Sequence, residues 1–156
     1  MRRWFVPLVV VVFAVLLAGA GIGLAADSPV GTWGKKPTAG GIEMTLKIDA
    51  WGRDKAKLVW TFKGKGMDGM SMTVVSGLDG KDAPVMMNGK DSGQTMAITL
   101  VDRLHSATVV KMNGKPFGTS KATFSPDFKT MTVENDFTVA VGGNPAGKTT
   151  EVWTRK

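Results

Sequence analysis

The sequence predicts an all-β protein, an antiparallel meander of short strands that closes on itself as a barrel. Three observations carry this. Apolar and polar residues alternate with period two nearly end to end after residue 30, glycine, asparagine, aspartate and proline separate the alternating runs, and no segment of that stretch asks to be a helix. Nine or ten such strands, each a tight turn away from the next, imply a meander, and joining its two edges hides them most completely. A barrel of eight to ten strands is therefore the expectation, with a β-sandwich of the same strands as the alternative.

The elements follow in order. Trp33 sits in the first run. Residues 42–49 give the clearest alternation, Ile42, Met44, Leu46 and Ile48 on one face against Glu43, Thr45, Lys47 and Asp49 on the other, so one face is buried and one wet. Trp51-Gly52-Arg53-Asp54 turns the chain into residues 57–63, where Leu58, Trp60 and Phe62 share a face. Residues 70–75 alternate Met70, Met72 and Val74 with Ser71, Thr73 and Val75. Asp79-Gly80-Lys81 reads as a turn into a short strand at 84–87, where Pro84 favours a strand start or an edge. Residues 95–101 set Met96, Ile98 and Leu100 against Thr95, Ala97, Thr99 and Val101.

Asn113-Gly114, both tolerant of positive φ, marks a hairpin between residues 106–112 and 117–124. Ser125-Pro126-Asp127-Phe128 makes the next turn. Residues 131–141 place Met131, Val133, Phe137, Val139 and Val141 on one face, interrupted by Asn135, and residues 149–155 close the chain.

Ahead of the barrel, Met1, Arg2 and Arg3 give a positive start, residues 4–17 are apolar throughout, and Gly23-Leu24-Ala25 supplies small residues where signal peptidase reads. This predicts a signal helix over residues 1–25, cleaved near Ala25, and a single β domain over 26–156. The competing reading is an uncleaved anchor, since no charge falls within residues 4–26 and that length just crosses a hydrocarbon core of about 30 Å. The crowding of small residues at its far end favours cleavage. The expected location is periplasmic or extracellular, with no membrane insertion after cleavage. The chain has no cysteine, which excludes a lipoprotein anchor, disulfides, thiol nucleophiles and thiolate metal sites.

The formal charge is +7, and removing Arg2 and Arg3 leaves +5 on the mature part. Six lysines follow glycine (Lys35, Lys65, Lys81, Lys90, Lys115 and Lys148). That is the pattern of solvated turn tips rather than of a nucleic-acid stripe. No nucleic-acid partner is expected, and the sequence leaves the oligomeric state open.

Gly31-Thr32-Trp33 is similar to the Gly-x-Trp with which lipocalins begin. Further along, Gly77-Leu78-Asp79-Gly80-Lys81-Asp82, Asn113-Gly114-Lys115-Pro116-Phe117 and Ser125-Pro126-Asp127-Phe128 resemble, in order and spacing, a family of small exported bacterial proteins, loosely lipocalin-like, of unassigned function. The resemblance spans most of the mature chain and implies a barrel and an extracytoplasmic compartment. It also implies a barrel base built from Gly31, Trp33 and Arg155, with the arginine stacked on the tryptophan. The chain departs from true lipocalins in lacking their Thr-Asp-Tyr segment, since it has no tyrosine.

Candidates for catalysis are few. His105 is the single histidine and follows Asp102-Arg103-Leu104 in a predicted turn. The aspartates cluster in turns, Glu134 and Asp136 share an outward face, and the serines have no paired histidine. The expectation is a protein that is not an enzyme and carries no cofactor.

The ten methionines are the anomaly. Met67-Asp68-Gly69-Met70-Ser71-Met72 resembles the methionine-rich motifs of exported copper-handling proteins, and Met67, Met70 and Met72, with His105 or Met87, form a candidate soft Cu(I) site. The leading expectation uses the same residues otherwise. Unbranched thioethers make an adaptable apolar wall, and Trp60, Phe62, Met72, Met96, Ile98 and Leu100 would line a barrel that binds a small apolar or amphipathic ligand. The alternative class is a structural or interaction barrel with a solid core.

Overall fold

The computed structural model describes residues 27–37, 40–52, 54–141 and 145–156. The signal peptide expected over residues 1–25 lies outside them. Among the described residues are ten strands: β1 (Gly31–Lys35), β2 (Glu43–Ala50), β3 (Ala56–Lys63), β4 (Ser71–Ser76), β5 (Asp79–Met87), β6 (Lys90–Leu100), β7 (His105–Met112), β8 (Lys115–Phe124), β9 (Thr130–Phe137) and β10 (Gly147–Arg155). Each pairs antiparallel with its sequence neighbours. β1 pairs with both β2 and β10, so the sheet closes into a barrel and the β-sandwich alternative falls away.

The up-and-down order gives the barrel two unlike ends. At one, here called the floor, lie the connections β2–β3, β4–β5, β6–β7 and β8–β9 together with the start of β1 and the end of β10. At the other, the rim, lie β1–β2, β3–β4, β5–β6, β7–β8 and β9–β10.

The alternation places Met44, Leu46, Ile48, Leu58, Phe62, Val74, Val85, Ile98, Val110, Phe124 and Met131 in the buried interior. Three boundaries differ from the sequence expectation. The Asp79-Gly80-Lys81 stretch belongs to β5, and the turn is Gly77-Leu78, with Leu78 at φ 55° and its N–H donated to Ser76 Oγ at 3.1 Å. β6 begins at Lys90, because Asn88-Gly89 forms a second hairpin with φ of 48° and 78°, matching Asn113-Gly114 at 48° and 79°. β9 stops at Phe137, where Thr138 leaves the ladder and donates both its N–H and its hydroxyl to the Phe117 carbonyl. Gly118 lets the Phe137 ring sit against the backbone of β8, since a Cβ there would lie 1.9 Å from Phe137 Cδ1.

One lysine departs from the solvated pattern. Lys35 lies within β1, and its side chain is 5% exposed, turned inward rather than held at a turn tip. On the outer surface several lysines are matched to acids, Lys111 to Asp82, Lys81 to Asp79 and Lys47 and Lys57 to Asp49.

The β8–β9 turn shows how short polar side chains shape the floor. Ser125 Oγ donates to Asp127 Oδ1 at 2.7 Å, the Lys129 N–H reaches the same oxygen at 3.1 Å, and Phe128 takes φ 51° and enters the interior, 1% exposed. The Ser125 hydroxyl, followed by the Lys129 N–H, holds the Asp127 carboxyl below its ordinary 3.8. The carboxyls of Asp49, Asp79 and Asp102 are also lowered, first by their side-chain partners Lys47, Lys81 and His105. A carboxyl lowered in the folded state stabilises the fold above its unfolded value, and that contribution is lost as pH falls through the folded value. Denaturant midpoints are therefore expected to decline as pH drops below 3.8, with a shallower decline in Asp127→Asn. An identical profile in the variant would remove this turn from the acid response.

Candidate ligand site

The floor is an aromatic plug. Trp33 lies 5.7 Å from Phe124, Phe124 5.6 Å from Phe128, and Trp51 meets the Phe124 edge at 5.6 Å, all as tilted or edge-on pairs. Two arginines brace it. The Arg155 guanidinium carbon stands 5.8 Å from the Trp33 ring centre and the Arg103 carbon 4.7 Å from that of Phe128. Arg155 also donates to the carbonyls of Ser28 at 3.1 Å, Phe128 at 3.5 Å and Val30, while Trp33 Nε1 donates to the Pro29 carbonyl at 2.9 Å. Gly31 stands beside this guanidinium, where a Cβ would come within 2.9 Å of it, and its φ of 148° is one that side chains rarely adopt. The glycine, tryptophan and arginine singled out in the sequence thus meet at one point.

Above the plug the barrel is hollow. A cavity of about 610 Å³ runs from Trp153, Phe124 and Trp51 at the floor to Met67, Met87 and Met112 at the rim. At the rim Met112 and Val139 are exposed to solvent. Of the residues expected to line it, Trp60, Phe62, Met72, Met96 and Ile98 do so. Leu100 does not; it is the last residue of β6 and packs, half-buried, against the core cluster. Seven methionines line the cavity, namely 44, 67, 72, 87, 96, 112 and 131, distributed from floor to rim.

The wall also holds polar groups that the period-two reading did not assign a role. Thr108 on β7 is in register with Ser120 on β8, Ser120 with Asn135 on β9, and Asn135 with Thr149 on β10, so four polar residues form a row at one level of the barrel. Ser120 Oγ donates to Asn135 Oδ1 at 2.7 Å. Two residues further along β10, Glu151 lines the cavity, accepts from Trp153 Nε1 at 3.0 Å and pairs with the Lys35 ammonium, which in turn lies 5.3 Å from the Trp153 ring centre. The signal that could have found this set is the strand parity itself. Asn135 falls on the apolar face of its run, and Lys35 and Glu151 lie two residues from Trp33 and Trp153.

The candidate copper set is not assembled as expected. His105 opens β7 at the floor, outside the barrel, with Nδ1 2.7 Å from Asp102 Oδ1, whereas Met67 and Met70 belong to the β3–β4 connection at the rim. The histidine and the methionines thus occupy opposite ends of the barrel. Met67, Met72 and Met87 do line one end of the cavity, with Met72 and Met87 in register across β4 and β5.

The structure is therefore a ten-stranded antiparallel meander barrel of the lipocalin-like kind, closed by an aromatic floor and hollow above it. Among solved structures it is similar to a point mutant of the fluorescent protein UnaG, with a TM-score of 0.58 and 16% identity over 81% of this chain and 95% of that one. At this identity the likeness is one of fold. No protein-family model matches the chain, and no curated protein does.

The floor generates a stability prediction. Arg155→Met keeps the length of the side chain but removes the donors to three backbone carbonyls. Loss of about 1–3 kcal/mol is expected, read from urea unfolding midpoints. A change within error would show that the guanidinium contributes nothing to closing the floor.

Proposed function

We propose that this protein is an exported, non-enzymatic barrel that binds one small apolar or amphipathic molecule in its interior. The observation that carries the reading is the cavity of about 610 Å³ lined by methionine, aromatic and aliphatic side chains. Its size falls in the range of about 300–1,000 Å³ typical of small-molecule sites. A scaffold with a solid core would fill that volume, because an apolar void forfeits both transfer free energy and packing contacts. The methionines support the same reading, since they are spread along the whole cavity and present soft, adaptable surface rather than one coordination point.

Binding without catalysis is supported by the placement of the chain's single histidine, which pairs with Asp102 on the outside of the floor. Export is supported by the charged start, apolar run and small-residue site of residues 1–25.

The test is dye binding. Purified protein should enhance and blue-shift the fluorescence of Nile red, an uncharged apolar dye, and Ala122→Trp, which places an indole in the cavity wall, should weaken that binding at least tenfold while the circular dichroism melt persists. No dye binding by the native protein, with the fold intact, would sink the reading. Native mass spectrometry of the protein from its own host is expected to show a retained organic molecule. Retained copper that the protein holds in competition with a Cu(I) chelator would point instead to Met67, Met72 and Met87.

A further inference from the structure

Resting on the ligand-binding reading, the charge and polarity of the wall decide which class of amphiphile fits. Among the described residues that line the cavity, Glu151 is the one that carries a formal charge. Its carboxylate is already matched, by the Lys35 ammonium at one oxygen and Trp153 Nε1 at the other. The Lys35 side chain is 5% exposed and the Glu151 side chain 12%, so this pair sits away from solvent, and its net charge is zero.

A ligand carboxylate drawn into this interior would find no uncommitted cation among the lining residues. An ammonium would find its one anion already held. Taking an ion out of water without a partner is strongly unfavourable. What the wall does offer is the row Thr108, Ser120 and Asn135, whose hydroxyls and amide both donate and accept. Thr149 on β10 continues that row in register beyond the residues that line the cavity. Opposite, β2 and β3 contribute Met44, Leu46, Leu58, Trp60 and Phe62, all apolar.

We propose that the cavity selects uncharged amphiphiles, an apolar chain ending in a hydroxyl, ester or amide, and discriminates against carboxylates and ammonium ions of the same chain. The polar row takes the headgroup, and the methionine and aromatic wall takes the chain.

The experiment is displacement of Nile red by three matched ten-carbon compounds, 1-decanol, decanoate and decylamine, at about pH 8, where the last two are ionised. Decanol is expected to displace the dye at a concentration at least tenfold below either ion. Decanoate or decylamine displacing as well as decanol, or dye that binds but yields to none of the three, overturns the inference and leaves the binding reading standing. Dye that never binds removes the binding reading itself. In Glu151→Gln, Lys35 is left as a cation without its carboxylate, and the preference should move at least tenfold toward decanoate. Should that variant fail to fold, the native series decides the question alone.

Discussion

The pairing of β1 with β10 is the constraint on which the rest of the structure depends. Ten strands in simple up-and-down order make a sheet whose first and last members would otherwise expose unpaired N–H and C=O groups. Registering Trp33 with Arg155, Gly34 with Thr154 and Lys35 with Trp153 removes both edges at once. It also fixes an inside and an outside for every residue between, because strand side chains alternate. The closing contacts join residues more than a hundred positions apart, and their loop-closure entropy is met by dense local chemistry at that seam. Arg155 reaches three carbonyls, and the stack of Trp33, Phe124 and Phe128 is packed behind it.

Closure then poses a volume problem. A barrel of ten strands is wider than its side chains fill unless they are uniformly large. At the floor they are, and the interior is solid with tryptophan and phenylalanine. Higher up, the inward positions of β7 and β8 include the small residues Thr108, Ser120 and Ala122, and the interior between them and the methionine and aromatic side chains of the other strands is hollow. One end of the molecule thus supplies rigidity and the other supplies space. Methionine suits the second role, since its three rotatable bonds let one wall accept several shapes with little strain.

Much of this architecture was legible in the sequence. Alternation such as that of Ile42, Met44, Leu46 and Ile48 marks a half-buried strand, and Asn113-Gly114 marks a hairpin, because each follows from local geometry alone. The same logic put Trp60, Phe62, Met72, Met96 and Ile98 on the cavity wall. It failed where tertiary structure overrides local chemistry. Asp79-Gly80-Lys81 has the composition of a turn, yet β6 holds it in the sheet, with an irregularity of register between Asp79 and Asp82. Leu100 shares parity with Ile98 but packs against the core without reaching the cavity. Whether an interior is hollow depends on the summed volume of side chains from all ten strands, which no single run reveals. The separation of His105 from Met67 likewise appears only once the strands are ordered around the barrel.

Lys35 and Glu151 mark where local and global logic meet. A glycine followed by lysine reads as solvent-exposed, and a buried ion pair is weak support for stability, because desolvating both partners offsets much of their attraction. Its position explains it better than its energy does. Lys35 is on β1 and Glu151 on β10, so the pair crosses the seam that closes the barrel. A slip of one residue at that seam would turn Lys35 outward and leave Glu151 buried without its cation, a far costlier state than the apolar mismatch that slipping Leu or Val would cause. The ion pair therefore distinguishes the native register from its neighbours, and by neutralising Glu151, the one charged group of the lining among the described residues, it leaves the cavity apolar enough to stay a cavity.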